Sequence, residues 1–261
     1  MLALSFARQS RLAFKSVFPW PDAASYLSNV IVRPIFTVAL LSLAGKFALG
    51  GDMAEGYVIG GATFAASWTL SGGIIQGFYT ERARSTLAVV FTATGSRLRM
   101  YLSRGLLHIV NGLVSVAVTL GAAVFIAGSS FDGANWPAAA AVIGVILLSV
   151  MCFSLFLGNF AIVLRDWIVV RATGQMLLMS SSGAFVPRDE LPLGFAQIGA
   201  LLPVTHGLQG LRRVLDGAPL SATVGPLTLE ALIAARYLYG GYLAFRCVES
   251  ASLRSGRYDS G

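Results

Sequence analysis

Few residues in this 261-residue chain have side chains that could carry chemistry. The two histidines, His108 and His206, stand far apart in sequence and fall on opposite expected sides of a membrane, which does not suit a two-histidine metal site. Ser182-Gly183 precedes His206 as a nucleophile and base would, yet Ser180 takes the place where a glycine-framed nucleophile elbow needs a glycine. Cys152 and Cys247 both fall in or at the end of apolar segments, so a structural disulfide is not expected. The two lysines, Lys15 and Lys46, cannot complete a phosphate-binding loop. That loop needs Gly-x-x-x-x-Gly-Lys-Ser/Thr, whereas Phe14 precedes Lys15 and Phe47 follows Lys46. The expectation is a chain with no catalytic residues, no metal and no cofactor of its own.

The elements that position these residues are set by oil solubility. Hydrophobic residues make up 56% of the chain and charged ones 12%, and the mean hydropathy is +0.73, far above soluble domains. A hydrocarbon layer of about 30 Å needs about 20 apolar residues of helix. Apolar stretches of that order occur near 27–49, 56–78, 101–127, 138–164, 170–186 and 225–246, separated by turn-forming or charged residues. The predicted fold class is all-α integral membrane, a single transmembrane domain over 1–261 with six transmembrane helices.

An even number of spans puts both termini on one side. Arg8, Arg11, Lys15, then Arg82, Arg84, Arg97, Arg99 and Arg104, then Arg165 and Arg171, then Arg246, Arg254 and Arg257 all fall on that side, against Arg188, Arg212 and Arg213 on the other. Basic residues concentrate in the cytoplasm, so the N- and C-termini are expected inside a cell inner or plasma membrane. The net charge of +7 therefore points to membrane topology and not to nucleic acid. Arg8, Arg11 and Lys15 share one face of a helix whose other face carries Phe6, Phe14 and Val17, which predicts an interfacial helix over 1–20.

Arg33 and Lys46 fall close enough to the span edges to snorkel outward. Arg236 does not: it lies ten residues before Arg246, near mid-membrane. It is expected to line a pathway or subunit seam, together with Tyr237 and Tyr239, or to pair with an acid such as Glu230 on a neighbouring helix. The aromatic run Tyr237, Tyr239, Tyr242 and Phe245 fits a lining for greasy cargo and fits ordinary packing equally well. Gly56-x-x-x-Gly60 and Gly73-x-x-x-Gly77 predict close helix approach within the subunit.

Two segments stand out. After the second span comes Tyr79-Thr80-Glu81-Arg82-Ala83-Arg84-Ser85-Thr86-Leu87, continuing to Thr94-Gly95-Ser96-Arg97. Before the last span comes Gly183-Ala184-Phe185-Val186-Pro187, then Leu191-Pro192, then Pro203-Val204-Thr205 and Leu211-Arg212-Arg213, whose prolines predict half-helices that dip in from outside over 187–223. Both resemble ABC type-2 exporter permeases of the drug, lipid or polysaccharide type. The match departs from the family pattern at Ala88, where an acid is frequent, and at Gly95, where proline is frequent.

That resemblance implies a transport subunit that forms half of a dimeric pore with a second copy or a related permease. It implies separate ATP-binding cassette subunits, holding ATP and Mg, that dock on a cytoplasmic coupling region over 79–97. Carried over residue by residue, the coupling positions are Thr80, Glu81, Arg82, Arg84, Thr86, Leu87 and Thr94. The implied function is export of an amphipathic drug, lipid or lipid-like molecule. A lipid-linked glycan as cargo and a non-transporting membrane scaffold are the alternatives.

Overall fold

A computed structural model describes residues 27–49, 54–84, 86, 96–128, 131–186 and 188–255. The predicted interfacial helix, Leu87 and Thr94 lie outside the described residues. Eight α-helices follow in order: α1 (Arg33–Leu49), continuing a π-helical turn at Ser28–Val32; α2 (Ala54–Ala83); α3 (Arg97–Ala122), which runs into a π turn at Ala123–Ala127; α4 (Trp136–Leu164); α5 (Trp167–Ser181); the short α6 (Leu193–Leu201) and α7 (Thr205–Leu215); and α8 (Val224–Ser255).

Local sequence sets these boundaries. Gly128 ends the α3 run in the left-handed conformation at φ 67°. Asn135 caps α4 by accepting from the Ala138 N–H at 3.2 Å, with Pro137 in the first turn, where its missing N–H costs nothing. Only Arg165 and Asp166 separate α4 from α5. Arg165 takes φ 60°, and the Asp166 carboxylate accepts from the N–H groups of Ile168 at 2.9 Å and Val169 at 3.0 Å.

The six longer elements coincide with the six apolar stretches. Three are long and apolar enough to cross a membrane by length and composition: Gly56–Ala83, Leu98–Ile126 and Trp136–Leu164. Two of the other three differ from these for visible reasons. At 15 residues α5 rises about 22 Å, because the chain leaves the helix at Ser182 and Gly183 turns at φ 78°. The 32-residue α8 is long enough but carries Glu230, Arg236 and Arg246.

The core forms where α4 and α2 cross their neighbours. Leu70, Ile74 and Phe78 of α2, Tyr101 of α3, Leu147, Met151 and Leu155 of α4, Leu208 and Leu211 of α7 and Phe245 of α8 are all fully buried. Lipid gives no hydrophobic drive between helices, so packing and polar links must hold the bundle. Asn159 of α4 donates to Tyr101 Oη at 3.3 Å and to the Gly241 carbonyl at 3.1 Å, joining α4, α3 and α8. Gln175 of α5 donates to Ser71 Oγ at 2.7 Å and Ser67 O at 3.2 Å of α2.

One glycine of each pair packs closely within the subunit. A Cβ at Gly60 would overlap the Ala184 carbonyl, and one at Gly73 would overlap the His108 ring, whereas Gly56 faces open space. Gly60→Ala is therefore expected to destabilise the protein by about 1–3 kcal/mol, the usual cost of overpacking. Gly56→Ala should leave the detergent melting temperature unchanged, and a thermal melt of both variants beside the parent checks the contrast.

Candidate functional site

The charged residues expected to couple to a partner gather where α2, α4 and α8 end and α3 and α5 begin. Glu81, in the last turns of α2, turns inward. Its Oε2 accepts from Arg104 Nη2 of α3 at 2.7 Å, with the two side chains 17% and 7% exposed. The Arg104 guanidinium lies over two rings, Phe78 at 4.6 Å and Phe245 of α8 at 5.2 Å. One ion pair thus pins α2, α3 and α8 together, and the cation gains from the ring faces in a place with little water.

Arg82 reaches across to α4, where its Nη1 donates to the carbonyl of Ile162. Burial and the neighbouring charge of Arg165 both disfavour added positive charge here. Thr80 closes the helix by accepting from the Arg84 N–H at 2.9 Å through its carbonyl. Thr86 ends it with two bonds to the Glu81 carbonyl, both 2.9 Å, one from its N–H and one from its hydroxyl. Arg84 and Thr86 are exposed at this end. Of the predicted coupling residues, the fold thus turns Glu81 and Arg82 toward the bundle and Arg84 and Thr86 away from it.

At the opposite end the proline-interrupted segment folds back into the bundle. α7 buries His206, Leu208, Leu211, Val214 and Leu215. Its N-terminus is held by Glu230 of α8, which is wholly buried and accepts from the Val204 N–H at 2.6 Å and the Gly207 N–H at 2.9 Å. A carboxylate here satisfies donors that helix geometry leaves free and sits at the positive end of the helix dipole. Val204 itself adopts φ 79°, a region costly for a β-branched residue. Arg212 donates to the Gly183 carbonyl at 3.0 Å, tying α7 to the turn after α5. Burial lowers the Arg212 pKa and the neighbouring Asp216 opposes that shift.

The expected pair of the mid-span cation with Glu230 is not made, because both residues lie on α8 and the Glu230 carboxylate is taken by α7. Arg236 is exposed, with its guanidinium 5.7 Å from the Tyr237 ring. Tyr237 packs inward, edge-on to Phe153 at 4.9 Å, and donates to the Leu201 carbonyl at 3.2 Å. Tyr239 points out of the subunit, 67% exposed. Arg236 and Tyr239 thus face outward, while Tyr237 is half-buried between them. Two features were not anticipated from sequence: Glu230 as a cap, and Arg171, which lies against Trp68 of α2. The one signal for Arg171 was its place inside the fifth apolar stretch.

The model of the ABC-2 type transporter family matches residues 12–215. The chain belongs to that family. This permease is thus a multi-pass membrane component of an ABC transport system, a class whose transmembrane chain works with ATPase subunits. The matched segment spans α1 to α7 and includes the Glu81–Arg104 pair, while α8, with Glu230 and Arg236, follows it. A comparison with curated proteins gave no match. Among the described residues the permease holds no group of three or more His, Cys, Asp or Glu side chains that could bind a metal.

Proposed function

We propose that this permease is the six-span transmembrane subunit of an ATP-driven exporter that moves an amphipathic drug, lipid or lipid-like molecule out of the cytoplasm. The reading rests on one observation: the charged end of α2 is bolted to α3 and α8 through Glu81 and Arg104, while Arg84 and Thr86 of the same turn remain exposed. Such an end can pass a push from a docked ATP-binding subunit directly into three helices. A floppy loop could not transmit it.

In this account the coupling region covers Thr80 to Thr94 and faces the cytoplasm. Arg84 and Thr86, with Leu87 and Thr94, contact the ATPase subunit, Glu81 anchors the region internally, and Arg82 fastens it to α4. A second permease, identical or related, completes the pore. ATP and Mg are held by the ATPase subunits.

Reversing the charge at Arg84 should lower recovery of ATPase subunits on copurification at least several-fold. Because Arg84 is exposed, its reversal should cost the isolated permease far less stability than loss of Glu81 does. Equal recovery of ATPase subunits with Arg84→Glu would remove this residue from the interface. Transport is tested by reconstituting the complex in vesicles and following ATP-dependent movement of a fluorescent amphiphile.

A further inference from the structure

Trp68, in the middle of α2, carries two arginines. The guanidinium of Arg33 from α1 lies 4.5 Å from the indole centroid and that of Arg171 from α5 lies 4.2 Å from it. Arg171 also donates through Nη2 to the Trp68 carbonyl at 2.9 Å. Among the described residues neither cation forms an ion pair with a carboxylate. Two buried donors at the same place, Arg171 Nε and Trp68 Nε1, have no acceptor. The arrangement has room made for it: a Cβ at Gly72 would come within 2.7 Å of the Arg171 guanidinium carbon.

Two cations on one indole, with buried donors to spare and no carboxylate partner among the described residues, call for an anion. Gln175, one turn further along α5, is tied by its amide nitrogen to Ser67 and Ser71 and brings no charge. A narrow cleft opens beside the indole, lined by Arg33, Pro34, Thr37, Phe64, Trp68 and Thr69. Next to it α1 presents Phe36 and Leu40, 70% and 69% exposed, along which an acyl chain can lie.

We propose that Arg33, Trp68 and Arg171 bind the phosphate headgroup of a membrane amphiphile. The two guanidinium forks take the phosphate oxygens, as arginine geometry favours. The indole N–H supplies a further donor, and the chain of the amphiphile runs along α1. The site needs only a membrane-embedded fold, so it holds whether the bound molecule is cargo or a resident lipid, and it stands apart from coupling to ATP.

The test uses the purified full-length permease in a neutral detergent, titrated with dioctanoyl phosphatidic acid and followed by native mass spectrometry. The parent should bind the lipid at a discrete site. R33Q and R171Q should each weaken binding at least tenfold, the double variant should abolish it, and R246Q, which removes a cation paired with Glu249 elsewhere, should bind as the parent does. Because R33Q alters an exposed side chain, it carries the test where R171Q does not fold. Undiminished lipid binding by folded R33Q and W68F would overturn the proposal. Inorganic phosphate that binds as tightly as the lipid would overturn the amphiphile as its source. A parent that binds no lipid as a dimer, with a carboxylate of the second copy crosslinking to Arg33, would replace the ligand by a protein contact.

Discussion

Glu81→Ala is expected to lower the stability of the permease by about 3–5 kcal/mol, the usual cost of removing one partner of a buried ion pair. The cost arises on the arginine that remains. Arg104 already has one buried nitrogen, Nη1, without a partner, and loss of the carboxylate would leave a full positive charge between Phe78 and Phe245 with only ring faces to stabilise it. The same reasoning gives a sharper result for the double replacement. Glu81→Leu with Arg104→Met removes both charges and keeps apolar volume, so most of the stability should return. A double-mutant cycle on melting in detergent reads the coupling directly. Additive effects of the two single changes would show that the pair does not hold α2 to α3.

This pair also changes what a replacement at Glu81 means for transport. If the acid met the ATPase subunit face to face, the double apolar variant would be as uncoupled as Glu81→Ala. With the acid acting as an internal anchor, the double variant recovers ATPase stimulation along with stability, and only changes at Arg84 or Thr86 impair docking without loss of fold.

Glu230→Ala carries the second large effect. It orphans two buried N–H groups, those of Val204 and Gly207, at about 1–3 kcal/mol each, and releases Val204 from a backbone conformation it would not otherwise hold. Glu230→Gln should recover only part of the loss, since one of the two acceptor oxygens becomes a donor facing an N–H. The consequence is local: α7 loses its place in the bundle. Leu208, 1% exposed in the parent, reports this if replaced by cysteine. It should resist maleimide in the parent background and react in the Glu230→Ala background, and protection in both would mean that the carboxylate does not hold α7.

Much of the architecture was legible in the sequence because bilayer thickness imposes a length on every apolar run. The six stretches fall on six helices, and the prolines at 192 and 203 break the chain into the two short helices α6 and α7. What composition could not reveal was partnership. Glu81 and Arg104 are separated by most of a loop and a helix turn, so nothing in their spacing says that they meet. Glu230 looked like a counter-charge for Arg236, yet it lies six residues away on a different face of the same helix, and its carboxylate takes the free N–H groups at the start of α7.

The same limit explains the stack on Trp68. Arg33 reads singly as a boundary residue free to snorkel toward headgroups, and Arg171 as one of the cytoplasmic basic residues. Only the crossing of α1, α2 and α5 brings both to one indole. The fifth helix is also shorter than its apolar run, because the backbone turn at Gly183 is favoured by a residue that lacks a side chain. Hydropathy counts that stretch as continuous.

The central claim is that the exposed end of α2 faces the cell interior, where a motor can grip it. Labelling of Arg84→Cys with a membrane-impermeant maleimide tests it most directly, in a background where Cys247 is replaced and buried Cys152 is retained. The account predicts no labelling in intact cells, rapid labelling in inside-out vesicles, and protection there once the ATPase subunits are bound. Labelling from outside intact cells would contradict it.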